Sequence, residues 1–160
     1  LIESFDLATF GRAPTRFDMA ELAALNARIV HQLPYEAVKG RLPAGMDAAD
    51  WEAIRPNLAA VGEAADWWEI LHGHVEGVAP AEDRAFLAAA AAAAAAIEWG
   101  SDPWPRLVDT LKAETGRAGK ALFRPLRLAL TGRDSGPEMA VLLPLIGRDE
   151  AIARLTAAAG

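Results

Sequence analysis

The sequence contains no cysteine, which excludes disulfide staples, cysteine-type zinc sites, iron–sulfur clusters and thiol nucleophiles together. It has one Tyr and little Val or Ile against abundant Ala and Leu, a balance that argues against a sheet protein. The apolar stretch Phe86–Ile97 has twelve residues, nine of them Ala, far short of the ~20 needed to cross a bilayer. The opening Leu1-Ile2-Glu3 has no initiator Met, basic n-region or cleavage pattern. We expect it to be a cut through a longer chain, not a targeting segment. What remains is 160 residues with 52% hydrophobic and 24% charged side chains, enough to bury a core as one ordinary domain or two small ones. The expected fold class is all-α.

The net charge of −6 on its own counts against a nucleic-acid partner, but the charge is unevenly placed. Residues 47–102 hold eleven acids and two bases. Residues 106–133 hold seven bases (Arg106, Lys112, Arg117, Lys120, Arg124, Arg127 and Arg133) against Asp109 and Glu114. Thirteen of the sixteen bases are Arg, the side chain suited to forked recognition of phosphates and base edges. A solvated basic helix face explains the same charge run without a ligand.

Apolar spacing and Gly/Pro punctuation place helices near 19–33, 50–71, 82–98, 104–114 and 138–157, with an apolar Leu122–Leu130 between the last two. Asp18 with Glu21 reads as a capping box for the first, and Asp50 as the cap of the second. Pro56 implies a late start or a kink there. Pro137 suits the first turn of the helix from Glu138 to Ile146, and Gly147 separates a terminal helix, Glu150–Ala158. Nine consecutive alanines give high helix propensity and little packing volume, which points to a close helix–helix contact. The Gly73, Gly77 and Pro80 cluster is the strongest domain boundary.

A search for catalytic chemistry finds none. His72 and His74, at i, i+2 around Gly73, do not stack on one helix face as a metal pair requires. Thr115-Gly116-Arg117-Ala118-Gly119-Lys120 suggests a phosphate loop but lacks the preceding strand and the spacing. We expect no catalytic residue and no metal site. Binding is better supported. Arg117, Lys120, Arg124 and Arg127 fall at i, i+3, i+7 and i+10, one face if the backbone is helical throughout. Such a ridge gives salt-dependent, sequence-blind phosphate contacts. The Thr131–Pro137 turn adds backbone groups and Arg133 for an unstacked base. Trp67, Trp68, Trp99 and Trp104 are expected in the core, away from this surface.

Three segments carry a resemblance in order along the chain. Phe123-Arg124-Pro125-Leu126-Arg127-Leu128-Ala129-Leu130-Thr131-Gly132, with Gly136-Pro137-Glu138 and Leu142–Arg148, closely resembles the C-terminal region of bacterial glutamyl-tRNA synthetases. Pro14-Thr15-Arg16-Phe17-Asp18 with Leu22 and Leu25-Asn26-Ala27 is similar to the segment that follows their catalytic domain. Asn57-Leu58 through Trp67-Trp68 is similar to a helix that ends in an aromatic pair in relatives.

The resemblance implies a class I synthetase that uses ATP and Mg to join glutamate to tRNA, in a catalytic domain whose motifs do not occur here. This chain would be its tRNA-contacting part, inactive alone. Its segments would be the end of a stem-contact region (1–33) and two helical anticodon-binding subdomains (34–78 and 79–160). Arg55 is the match to the Arg that reads the first anticodon base, and Arg127 to the one that reads the third. Gly136 and Pro137 frame the anticodon, with Met139 just beyond; Gly136 replaces a side chain of some relatives, so contacts there would be made by backbone. Arg117, Lys120, Arg124 and Arg133 would contact phosphates or unstacked bases. The implied partner is tRNA(Glu), with tRNA(Gln) open, in a monomeric cytoplasmic enzyme without a membrane contact. The alternative from another class is a freestanding helical protein-interaction module.

Overall fold

The structure is a computed structural model that describes residues 19–75 and 79–160. Among them it is all-helical, with no strand. Nine α-helices follow in order: α1 Met19–Val30, α2 Tyr35–Val38, α3 Ala48–Ile54, α4 Ala64–His72, α5 Arg84–Ala96, α6 Pro103–Thr115, α7 Lys120–Thr131, α8 Met139–Ile146 and α9 Arg148–Ala159. No helix among the described residues is long and apolar enough to cross a membrane. The expected Asp18 cap and the Pro14–Phe17 motif lie outside the described residues.

The helix expected over 50–71 is two helices. Pro56 has no N–H to donate and its ring excludes the preceding carbonyl, so α3 stops at Ile54. A 3₁₀ turn, Arg55–Asn57, then leads to extended Leu58. The cap is Asp47, whose carboxylate accepts from the Ala49 and Asp50 amides, while Asp50 returns a bond to the Asp47 amide as the third residue of the capping box. The expected Asp50 cap is thus displaced by one turn, to the residue that has the extended backbone a cap needs. α1 ends at Val30, three residues before the expected limit. Only Val30 of its apolar face is buried, and Met19, Leu22, Leu25 and Ile29 stay exposed, because no other described helix covers that side. Asn26 Nδ2 donates to the Ala59 carbonyl at 2.5 Å, and His31 Nε2 pairs with the Leu58 carbonyl at 3.0 Å. These bonds tie α1 to the segment after α3.

One apolar core runs from Val30 through Trp51, Ile54 and Leu71 to Leu107, Leu126, Leu142 and Leu155. Each large side chain removed from water there contributes about 1.5–3 kcal/mol. The alanine-rich α5 packs along α9. Ala90, Ala91, Ala93 and Ala94 are buried on one helix, and Ala151, Leu155 and Ala158 on the other. Small side chains let the two backbones approach, which accounts for the alanine run. Gly116 and Gly132 close α6 and α7 in the left-handed conformation, with φ +66° at each, a geometry other residues adopt reluctantly.

Candidate nucleic-acid interface

The interface is built on α7 and the turn that follows it. Gly119, at φ +53°, turns the chain before α7, so Arg117 lies ahead of the helix and off the ridge. Lys120, Arg124 and Arg127 share the helix. Pro125 interrupts its hydrogen-bond ladder and leaves the Ala121 carbonyl without its usual donor. Arg117 Nη1 supplies one at 3.2 Å. The same nitrogen is 2.6 Å from Asp83 Oδ1, and the guanidinium lies 4.4 Å from the centre of the Phe86 ring. Arg117 is thereby committed to holding α7 against the start of α5. Arg124 Nε is paired with Asp134 at 2.9 Å. Lys120 and Arg133 are exposed and make no side-chain ion pair among the described residues.

Arg127 is the most constrained of the group. Its Nη2 donates to the Pro137 carbonyl at 3.0 Å, bracing the turn against α7. Its Nη1 is buried and has no hydrogen-bond partner among the described residues. Burial pulls its pKa below the ordinary guanidinium value, the signature of a cation held partly away from water. Thr131, at the end of α7, accepts from the Arg133 amide at 3.2 Å and donates to the Arg127 carbonyl at 2.7 Å, so the turn starts in a fixed direction. Gly136 then passes against the outer end of the Trp67 indole with φ +141°; a Cβ there would lie 2.2 Å from Cη2. This explains why the position carries no side chain. Pro137 and Met139 are buried beside it.

Two of the cavities along α7 meet at Phe123 and Arg127. One of about 610 Å³ is lined by Lys120, Phe123, Arg124, Arg127 and Asp134. The other, about 230 Å³, is lined by Trp104, Phe123, Arg127, Glu138, Met139 and Ala140. Trp104 and Phe123 form a tilted ring pair, centroids 6.1 Å apart. The expectation that the tryptophans lie away from this surface therefore fails for Trp104, which lines the second cavity, and for Trp67, which supports the turn. Sequence pattern offered one clue: Phe123 and Arg127, at i, i+4, must share a face of any helix between them.

Arg55 stands apart from both cavities. Its Nη1 donates to the Leu33 carbonyl at 2.9 Å, which Trp51 Nε1 also reaches at 2.9 Å, and its Nη2 is 2.6 Å from Glu52. A further arginine escaped the sequence reading altogether. Arg154 on α9 is 3% exposed and donates to the carbonyls of Ile70, Leu130 and Gly73 at 2.7, 2.8 and 3.0 Å. It joins the ends of α4 and α7 beneath the interface. His72 lies against Trp68, and no three His, Asp or Glu converge as a metal-binding group among the described residues.

An all-helical domain with a cationic helix face beside an aromatic slot has the features of a nucleic-acid-binding module. The sequence profile of the anticodon binding domain family matches residues 70–159, more than half of the chain, and the chain belongs to that family. It is 64% identical over 159 residues to glutamate–tRNA ligase 1 of Rhizorhabdus wittichii, covering 99% of this chain and 36% of that protein. Against glutamate–tRNA ligase 1 of Novosphingobium aromaticivorans the identity is 61% over 160 residues, covering 98% and 36%. The chain thus spans about a third of the length of these curated relatives. The crystal structure of glutamate–tRNA synthetase from Elizabethkingia anophelis shares the fold with a TM-score of 0.72 at 18% identity, over 98% of this chain and 34% of that one.

Proposed function

We propose that this chain is the anticodon-reading part of a glutamate–tRNA ligase and binds the anticodon arm of tRNA(Glu). The observation that carries this reading is Arg127: a desolvated guanidinium, braced through Nη2 on the turn and with Nη1 unsatisfied, in the segment that matches the family. A base edge brought within reach of that fork gains a charge-assisted hydrogen bond and relieves a buried orphan donor. Lys120, Arg124 and Arg133 serve as phosphate contacts, Gly136 and Pro137 present backbone, and Arg55 reads a different anticodon base. Arg117 contributes by fixing α7. Residues 1–33 end a stem-contact region, and 34–78 and 79–160 are two anticodon-binding subdomains. Glutamate activation with ATP and Mg belongs to the rest of a cytoplasmic parent enzyme. The 116–119 link does not fit a nucleotide: it joins two helices, no strand precedes it among the described residues, and Arg117 is tied to Asp83.

A gel shift with tRNA(Glu) and an unrelated tRNA tests the reading, and preferential, salt-sensitive retention of tRNA(Glu) is expected. Arg127→Ala in the full-length parent should cost about 1–3 kcal/mol in kcat/KM, concentrated at one anticodon position. Lys120→Ala should weaken all tRNAs alike and lower the salt slope by about one. A uniform loss across anticodon variants with Arg127→Ala would reduce it to an electrostatic anchor. Charging of tRNA(Gln) by the full-length enzyme decides whether that tRNA is a second substrate.

A further inference from the structure

Arg154 is buried beneath the interface, yet both supports of the turn over residues 132–137 lead back to it. That turn is held from two helices. Trp67 on α4 lies against Gly136, and Arg127 on α7 donates to the Pro137 carbonyl. The shape of the turn therefore depends on where α4 stands relative to α7. On the outer side that gap is open. A cleft of about 330 Å³ is lined by Asp66, Glu69 and Ile70 of α4 and, across from them, by Thr131, Gly132 and Arg133. The two helices have their main packing elsewhere, α4 on α8 and α7 on α9 and α5. On the inner side the Arg154 guanidinium bridges the gap. Its Nη1 donates to the Ile70 carbonyl of α4 and the Leu130 carbonyl of α7, and its Nη2 to the Gly73 carbonyl just past α4. Glu150 holds Nε at 2.6 Å. A planar fork satisfies all of these acceptors only over a narrow range of separations, so the side chain acts as a gauge between the helices.

We infer that Arg154 is a positioning residue for RNA discrimination: by fixing α4 against α7 it sets the shape of the 132–137 turn, and through it how sharply the surface separates one anticodon loop from another. The inference rests on the anticodon reading above and extends it to a side chain that is 3% exposed and out of reach of a bound RNA. Charge-driven affinity has a different origin. Lys120 and Arg124 sit on α7 itself and keep their places on that helix whatever its distance from α4. Losing the gauge thus lowers discrimination and spares the phosphate contacts.

The test is fluorescence anisotropy of labelled tRNA(Glu) anticodon stem-loops on this chain, one with the native loop and others changed at one anticodon position each. The quantity read is the ratio of affinities, native over changed, at a temperature where circular dichroism shows each variant folded. Arg154→Lys keeps a cation without the fork. It should lower the ratio about two- to thirtyfold at one position or more, with the salt dependence of binding unchanged. Leu87→Ala, in the core of α5 and away from the gauge, costs stability too but should leave the ratio intact. Trp67→Phe shortens the reach to Gly136 and should lower the ratio by itself. Adding Arg154→Lys to it should lower the ratio little further, because both act through one turn. An unchanged ratio for Arg154→Lys, an equal fall for Leu87→Ala, or strict additivity with Trp67→Phe overturns the inference. Where Arg154→Lys does not fold, Glu150→Ala releases Nε from a partly exposed position, and the same criteria apply to it. If the wild-type chain separates the stem-loops and the Arg154→Lys ratio is unchanged, the positioning role alone falls. If the wild-type chain does not separate them, the anticodon reading falls and takes this role with it.

Discussion

Arg154 offers the sharpest test of how the fold is held. Its guanidinium is 3% exposed and bonds to the carbonyls of Ile70 and Gly73 at the end of α4 and of Leu130 at the end of α7. Those are the carbonyls that a helix leaves unpaired, at its negative pole, so one cation answers two helix termini. Glu150, at 2.6 Å from Nε, fixes the approach. Arg154→Leu keeps an apolar stem, removes the charge and leaves three carbonyls without this donor. At about 1–3 kcal/mol for each buried group left unpaired, the upper bound is roughly 9 kcal/mol. Partial wetting near Gly73 and the loss of the cation's own desolvation cost bring the expectation to about 3–5 kcal/mol. For a chain of this size that is a fall in Tm of roughly 6–20 °C. Thermal melts by circular dichroism, paired with urea unfolding, read it directly. Arg154→Lys should fall between, since an ammonium lacks the fork that spans two helix ends. A loss below about 1 kcal/mol for the leucine variant would refute the account.

Gly136→Ala should cost about 1–3 kcal/mol through its positive φ, plus the collision with Trp67. Trp67→Ala made in the same chain should recover the collision part, and strict additivity in a double-mutant cycle of melts would sink the contact. Arg117→Ala should destabilise by about 1–3 kcal/mol, because it leaves the Ala121 carbonyl unpaired and Asp83 without its cation. In a Pro125→Ala background the new amide can serve that carbonyl, so the Arg117→Ala penalty measured by urea unfolding should shrink; an unchanged penalty would count against the repair role.

The parts of the fold set by local rules were readable in advance. α6 begins at Pro103 and ends before Gly116, and α7 ends before Gly132, because proline and left-handed glycine act within one turn. The alanine run announced its close partner for the same kind of reason. What depends on distant neighbours was not readable. Arg117 looks like part of a basic ridge until Asp83, 34 residues away, claims it. Glu150 and Arg154, at i, i+4, have the spacing of a solvent-exposed pair, yet Arg154 is buried because two helix ends arrive over it. Phe123 could be placed beside Arg127 from their i, i+4 spacing, but Trp104 joins them only when α6 and α7 pack, so its part in the surface left no trace in spacing. Arg127 was legible as a residue through its segment, but its unsatisfied nitrogen was not.

The uneven charge noted in the sequence has a kinetic consequence once the chain is folded. Glu52, Glu63, Asp66 and Glu69 are exposed on and around α3 and α4, while Lys120, Arg124 and Arg133 are exposed along α7 and its turn. Asp66 and Glu69 line one cavity with Arg133, so the sign of the surface changes across a single cleft: a polyanion approaching a protein of net charge −6 is drawn to the α7 side and turned away from the α4 side, which favours one orientation. Guidance of this kind acts over a Debye length, about 8 Å at physiological ionic strength, and biases encounters before any hydrogen bond forms. Raising salt should therefore erode two things at once: the rate of capture and the fraction of captures that arrive facing the right way.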